Sequence, residues 1–240
     1  MKKNQIFFIL TIVLSSISCM LEAQTDDNLL LSAKEQRLVA IASSTAKGDL
    51  SKLETELNSG LETGLTVNQI KEAIVHIYAY AGFPRSISGL QTFMSVLDKR
   101  KANGIHDHLG EDASPINDDR HKYERGKAVL ETLTGNAETG PKTGYAAFAP
   151  MIEVFLKEHL FADIFERDVL SHAERELVTV SVLSSIGGVE PMLESHLKIC
   201  MHVGYSAEQL KQFITLIEKT AGKQEAEDAK KVLDKVLGIK

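Results

Sequence analysis

An internal repeat constrains this fold more than any other feature of the sequence. Two stretches match over about 50 residues at a near-constant offset, with one single-residue slip between them. The matched pairs, first copy before second, are Leu31-Ser32 and Leu170-Ser171, Glu35 and Glu174, Leu38-Val39 and Leu177-Val178, Leu53-Glu54-Thr55 and Leu193-Glu194-Ser195, Gly64 and Gly204, Gln69 and Gln209, Lys71 and Lys211, and Ala81-Gly82 and Ala221-Gly222. The repeat predicts two equivalent units.

The local pattern inside each copy is helical. Ser32 stands three residues before Glu35, as in a capping box, and apolar residues then recur at helical spacing. Five prolines, no tryptophan and many Ala, Leu, Glu and Lys residues also favour helices. We therefore predict an all-α fold whose duplicated units pack as one compact domain. The first unit spans 24–101, a polar linker 102–119 and the second unit 120–240.

The N-terminus fits a secretory signal peptide over residues 1–23. Two lysines precede the short apolar run Ile6–Leu14, which is too short to cross a bilayer, since a span needs about 20 residues. Cleavage after Ala23 predicts an exported, periplasmic protein. Lipidation at Cys19 is the alternative, because a small residue precedes it. No later stretch is long and apolar enough to predict a membrane span.

Charge and cysteine content exclude several classes of protein. The net charge of −6 argues against a nucleic-acid partner, because binding phosphates requires a basic face. After signal cleavage only Cys200 remains, so no internal disulfide can form and stability must come from burial.

Several short motifs follow one another along nearly all of the mature chain. They are Asp119-Arg120, Tyr123-Glu124-Arg125-Gly126, Leu130, Ser171-His172-Ala173-Glu174-Arg175-Glu176-Leu177-Val178, Glu194-Ser195-His196 and Gly204-Tyr205-Ser206-Ala207-Glu208-Gln209, with His76, Tyr80-Ala81-Gly82 and Pro84 in the first copy. In this order and spacing they resemble the carboxymuconolactone decarboxylase family. The resemblance implies an all-helical, alkylhydroperoxidase D-like fold that assembles into a homo-oligomer, a trimer or larger ring.

The resemblance also implies one of two chemistries. One branch of the family decarboxylates a lactone acid by acid–base chemistry without a cofactor. The other branch, the alkylhydroperoxidase D proteins, performs thiol redox work with a Glu, a Cys-x-x-Cys pair and a following His.

The redox pattern is incomplete in this sequence. The two cysteine positions hold Val189 and Met192 in the second unit, and Asp49 and Lys52 in the first. A dithiol cycle requires two sulfur atoms that can bridge and at least one accessible thiolate, and Cys200 has no second cysteine to pair with. Dithiol peroxidase activity is therefore disfavoured.

His196 is the main candidate for catalysis. A histidine exchanges protons near neutral pH, and the resemblance places a functional histidine here. Glu174 or Glu176 is predicted to orient its imidazole, and Arg175 to bind a substrate carboxylate through paired hydrogen bonds. The alternatives are a structural histidine and a solvated acidic first turn that complements the helix dipole.

His76 and Tyr80 lie one turn apart on one helix face, where they are predicted to line a substrate pocket. The second unit has Leu216 and Thr220 at these positions. Conversely, the first unit has Glu56 at the position of the candidate histidine. The polar groups are thus divided between the units, which suggests one composite site, within a chain or across subunits. The alternative is that each unit has lost half of a site.

A metal site is not expected, and neither is a cofactor. His106-Asp107-His108 and His121 lie in or beside the polar linker, where no rigid element fixes the geometry that a metal requires.

The sequence favours a cofactor-free acid–base lyase or isomerase that acts on a small lactone or carboxylic acid, with a small carboxylate-bearing molecule as its partner. Export argues against breakdown of an aromatic-acid intermediate, which takes place inside cells. The alternatives are a non-catalytic binding or assembly protein on the same scaffold, and a peroxidase-type activity despite the missing cysteine pair.

Overall fold

The computed structural model describes residues 30–239, and within this range the chain forms helices and no strands. The predicted signal peptide, residues 1–23, lies outside the described residues. The α-helices are α1 (Ala33–Lys47), α2 (Leu50–Glu62), α3 (Val67–Ala102), α4 (Lys122–Thr134), α5 (Gly144–Phe148), α6 (Pro150–Val154), α7 (His172–Ile186), α8 (Glu190–His202), α9 (Ala207–Thr220) and α10 (Lys223–Val236). A π-helical segment, Phe155–Phe165, follows α6 directly. The predicted all-α fold is confirmed.

The two predicted copies are structurally equivalent. Helices α1 and α7 have 15 residues each, and α2 and α8 have 13 each. Both α1 and α7 begin with a full capping box, Ser32 with Glu35 and Ser171 with Glu174, as the sequence predicts for the first of them. The helix starts therefore follow from local hydrogen bonds that the repeat preserves.

The third helix differs between the units at one glycine. In the first unit, Gly82 (φ 79°, ψ 161°) has non-helical backbone angles and divides α3 into two helical halves at a kink. In the second unit, Gly222 (φ 132°, ψ 167°) separates α9 from α10. Both glycines adopt positive φ, which L side chains rarely tolerate. The second half of α3 is thus the counterpart of α10.

The first helices of the two units form the centre of the molecule. Helices α1 and α7 pack against each other, and their residues are buried almost continuously from Leu38 to Ala46 and from Arg175 to Ser185. The hydroxyls of Ser43 and Ser185 meet across this contact at 2.9 Å. Apolar residues of each unit enter the core of the other, which joins both units in one compact domain.

Helix α4 and the π-helical segment form a further layer in the N-terminal part of the second unit. Helix α4 packs against the π-helical segment, and together they cover α8 through an apolar cluster that includes Leu133, Phe161 and Ile199. The approach is so close that a Cβ at Gly126 would lie 1.8 Å from the Lys157 carbonyl oxygen. A side chain at this position would push the two segments apart, so a glycine is required here.

Among residues 30–239, none of the helices combines the length and the apolar character that a membrane span requires.

Candidate active site

A cavity of about 680 Å³ lies between α8, the π-helical segment and the loop 135–143 that joins α4 to α5. This volume falls within the range of ordinary small-molecule sites. Its apolar lining includes Leu130, Leu156, Leu160, Phe161, Leu183, Met192 and Ile199, and its polar lining includes Tyr80, Glu138, Lys142, Glu153, Lys157, Ser195 and His196. Polar groups therefore converge on an apolar space that suits a small organic molecule.

His196 and Glu176 form a hydrogen-bonded pair at this cavity. The Nδ1 atom of His196 lies 2.7 Å from Oε2 of Glu176, which is completely buried on α7. The His196 side chain is 14% exposed, and its Nε2 makes no hydrogen bond within the described part of the chain. The carboxylate thus holds one ring nitrogen, while the other is free to meet a ligand. Of the two glutamates predicted to orient the histidine, Glu176 contacts it.

Tyr80 and His76 reach this pair from the first unit. The Tyr80 ring stands edge-on to the His196 ring at a centroid distance of 5.7 Å, and its buried hydroxyl has no partner among residues 30–239. Burial and the nearby Glu176 charge raise the pKa of Tyr80. His76 is fully buried behind Tyr80 and meets the Thr179 hydroxyl of α7 at 2.8 Å through Nε2. The polar groups divided between the units therefore meet within one chain.

Arg175 and Glu174 lie away from the cavity. The Arg175 guanidinium is fully buried and donates to Glu72 (2.7 Å) and to the Arg167 carbonyl oxygen (2.5 Å). Although burial opposes ionisation of Glu72, hydrogen bonds from Arg167 and Arg175 lower the pKa of its carboxyl. Glu174 accepts from the Ser171 backbone N–H in the capping box. These contacts make Arg175 a link between the units and Glu174 a helix cap.

Cys200 is poorly placed for redox chemistry. Its side chain is completely buried, and burial together with the nearby Glu176 charge raises its pKa well above the usual value. Met192, at one of the two cysteine positions of the redox branch, lines the cavity instead. A buried, protonated thiol is a weak nucleophile.

A cluster of charged residues also lines the cavity, and the sequence does not predict it. Lys157 lies in the π-helical segment with its side chain 1% exposed, and it bonds to Glu153, Glu138 and Tyr123. Lys142 of the 135–143 loop bonds to the same three residues. The available signal in the sequence is the i,i+4 spacing of Glu153 and Lys157, which places the two side chains on one helix face.

Hydrogen bonds within this cluster shift the pKa values of three of its charged groups. Burial would raise the pKa of Glu153, but hydrogen bonds from Lys142 and Lys157 lower it to about 2. Burial would likewise raise the pKa of Glu138, but hydrogen bonds from Lys157 and Lys142 lower it. The hydrogen bond to Glu153, followed by one to Tyr123, raises the pKa of Lys142. Glu153, Glu138 and Lys142 are therefore charged at neutral pH.

The residues of the polar linker make other contacts. Asp107 forms an ion pair with Arg100 at 2.8 Å, and His121 precedes the first turn of α4. Within residues 30–239 no group of three or more His, Cys, Asp or Glu side chains is arranged to hold a metal ion.

The equivalent place in the first unit carries a different pair. Arg37 occupies the position of Glu176 and Glu56 that of His196, and their side chains form an ion pair at 3.0 Å. Lys52, at the position of Met192, donates to the Lys219 and Thr220 carbonyl oxygens at the end of α9. The first unit thus keeps the geometry of a polar pair without an imidazole.

Comparison with known proteins gives one family. The sequence model of the carboxymuconolactone decarboxylase family matches residues 22–93 and 153–235, which together make up more than half of the chain. The two regions correspond to the two units. The comparison with curated proteins gives no match.

Proposed function

The chain belongs to the carboxymuconolactone decarboxylase family, and we propose that it is a cofactor-free acid–base lyase or isomerase that acts on a small lactone or carboxylic acid. One observation carries the proposal. An imidazole is held by a buried carboxylate at 2.7 Å and faces a cavity of suitable size.

His196 serves as the proton carrier in this proposal. When a lactone acid loses CO₂, the electron pair of the broken C–C bond remains on the lactone, and a carbon atom must then accept a proton. His196 delivers that proton from Nε2, and Glu176 stabilises the imidazolium that exists before the transfer. An isomerisation uses the same group twice, first to remove a proton from carbon and then to return one.

Tyr80 and His76 have supporting roles. The Tyr80 hydroxyl is buried, stays protonated and lacks a partner within the described residues, so it suits donation of a hydrogen bond to a substrate oxygen. His76, fixed by Thr179, packs beside the Tyr80 ring at a centroid distance of 5.4 Å and positions it.

The test offers the protein carboxymuconolactone and a panel of small lactone acids. Turnover is measured as CO₂ release and as proton exchange. Wild-type protein is expected to turn over at least one compound, and His196→Gln to lose about 100-fold or more of kcat. Glu56→Gln, at the equivalent position of the first unit, is the matched control and is expected to keep full activity. Activity that survives His196→Gln would overturn the proposal.

The same experiment separates the alternatives. Binding of a panel compound without turnover supports a non-catalytic binding protein on this scaffold. Peroxide reduction that is lost in Cys200→Ser supports the peroxidase-type activity, against which the burial of this thiol argues.

A homo-oligomer, a trimer or larger ring, is part of the proposal. Large apolar side chains are exposed between α5 and the π-helical segment, including Phe148 (91% exposed), Tyr145, Met151 and Phe155. A patch of this kind in a globular protein marks a contact surface. Light scattering is expected to show an oligomer, and Phe148→Glu to weaken it.

Export through cleavage after Ala23 also belongs to the proposal, with lipidation of Cys19 as the alternative. Mass spectrometry of the mature protein distinguishes an N-terminus at Gln24 from a lipid-modified cysteine.

A further inference from the structure

We propose that Lys142 and Lys157 form a carboxylate-binding subsite of the cavity, and that Glu138 occupies this subsite while no ligand is bound. The inference rests on the proposed function, since it identifies the substrate group that is held apart from the reacting centre at His196. In this proposal the two lysines bind the substrate carboxylate, a role that the sequence predicts for Arg175.

The two lysine ammonium groups converge on the same oxygen atoms. Both donate to the Tyr123 hydroxyl, at 3.1 Å from Lys142 and 3.3 Å from Lys157. Both also contact Oε1 of Glu153 and Oε2 of Glu138. Two cations this close repel each other, so an anion between them is strongly stabilised.

The two carboxylates of the cluster differ in how firmly they are held. Glu153 lies in the first turn of α6, its side chain is 10% exposed, and the Tyr123 hydroxyl donates to it at 2.9 Å. Glu138 belongs to the loop 135–143, is 35% exposed, and lies between Gly135 and Gly140, which both adopt positive φ. Glu153 is therefore a fixed part of the site, and Glu138 is the carboxylate that can leave.

The cluster and His196 line one continuous cavity. Apolar side chains, among them Leu156, Phe161 and Ile199, line the same space. A ligand with a carboxylate, an apolar carbon skeleton and a reactive centre can therefore contact both polar groups at once. The Lys157 side chain is almost completely buried. A ligand carboxylate that contacts its ammonium group therefore does so without competition from bulk water.

Charge balance favours a carboxylate over a phosphate. Replacing Glu138 with one ligand carboxylate keeps two positive and two negative charges in the cluster. A phosphate dianion would bring an additional negative charge next to the fixed Glu153 carboxylate, which is ionised at neutral pH.

The test measures binding rather than turnover, with succinate as the probe and calorimetry on the full-length protein. Succinamide, its uncharged analogue, is the ligand control and is expected not to bind. Glu138→Gln removes the competing charge and is expected to tighten succinate binding by about tenfold. Lys142→Gln, at a side chain that is 40% exposed and tolerant of change, is expected to weaken binding by about tenfold.

Matched controls lie on α4 outside the cavity. Glu124→Gln and Lys127→Gln remove the same charges and are expected to leave succinate binding unchanged. Circular dichroism and thermal unfolding establish that each variant is folded.

The proposal is overturned if Glu138→Gln fails to tighten succinate binding or if Lys142→Gln binds as wild type does. Binding of inorganic phosphate in place of succinate also overturns it. Lysine-dependent succinate binding in a protein that turns over no lactone acid contradicts only the acid–base function. If turnover depends on His196 but succinate binding is unchanged in both Glu138→Gln and Lys142→Gln, only the subsite is contradicted.

Discussion

The first and third helices of both units begin with capping boxes, yet the two units carry different polar pairs at equivalent positions. In the second unit a carboxylate on α7 holds an imidazole on α8, Glu176 with His196. In the first unit the charges are exchanged, with Arg37 on α1 and Glu56 on α2. A guanidinium stays protonated at any physiological pH, whereas an imidazole gains and loses a proton near neutrality. Of the two pairs, only that of the second unit therefore contains a group suited to the proposed proton transfer.

The surroundings of the pairs differ as well. In the second unit α4 and the π-helical segment lie over α8 and enclose the cavity. In the first unit Lys52 extends to the carbonyl groups at the end of α9, where a cation complements the helix dipole. Under the proposed function, one copy of the duplicated scaffold carries the chemistry while the other stabilises the fold. Four predictions test it.

The largest expected effect is on the contact between the units. Glu72→Leu leaves the fully buried Arg175 without its carboxylate, and we expect the free energy of unfolding to fall by about 3–5 kcal/mol. Its counterpart, Gln212, accepts only from the Leu31 backbone N–H, so Gln212→Leu is expected to cost about 1–2 kcal/mol. Chemical unfolding at one protein concentration measures both. Equal losses would contradict the difference between the units.

The second prediction concerns the polar pairs. Glu176→Gln removes the charge that orients His196 and stabilises the imidazolium, so we expect kcat to fall by about 100-fold while the KM changes little. Arg37→Gln, at the equivalent position of the first unit, is expected to leave kcat unchanged. Steady-state kinetics on the compound identified in the turnover panel measure kcat and KM of both variants. A similar loss of kcat in both would mean that the two units share the chemistry.

The third prediction is a dependence of stability on pH. Burial, and then the positive charges of Arg175 and His196, lower the pKa of His76 in the folded protein. Below about pH 6.5 the unfolded chain binds a proton at His76 that the folded protein does not. The free energy of unfolding therefore falls as pH falls, by about 1.4 kcal/mol per pH unit, until the folded pKa is reached.

His76→Leu installs the residue of the second unit, Leu216, and should remove this part of the slope. Unfolding curves at pH 7.5, 6.5 and 5.5 measure it. Burial also lowers the pKa of His172. This histidine is present in both proteins and serves as the internal reference. An unchanged slope would show that His76 is not the group responsible.

The smallest effect tests what the units share. Ser32→Ala and Ser171→Ala each remove the side chain that accepts from the N3 backbone N–H, and each is expected to cost about 1 kcal/mol. Thermal unfolding of the two variants should give equal shifts. A loss confined to one variant would show that the two helix starts are not equivalent.

The candidate site was only partly predictable. The resemblance indicated His196, and the split of polar residues suggested a composite site. Adjacent residues on a helix point about 100° apart, so the sequence alone did not distinguish Glu174 from Glu176. The match of Glu174 with Glu35, already predicted as a cap, was the available signal, and the structure shows that capping role.

The position of Lys157 is hard to predict for a different reason. Its burial and its ion pair with Glu138 depend on the packing of α4 against the π-helical segment at Gly126 and on the 135–143 loop, which folds back over the cavity. The contact of Arg175 is hard to predict for the same kind of reason, since its partner Glu72 belongs to the other unit. Neither contact joins residues of one helix, so neither leaves a trace in local periodicity.

The helices, several of their caps and stops, the duplication and the family are all predictable from the sequence, because these depend on backbone hydrogen bonds and apolar spacing within a few turns. Which charged groups face the cavity, and which of them pair with each other, depends instead on how the units pack. Those properties depend on desolvation and on charges brought together from distant parts of the chain, and they arise only when the units pack.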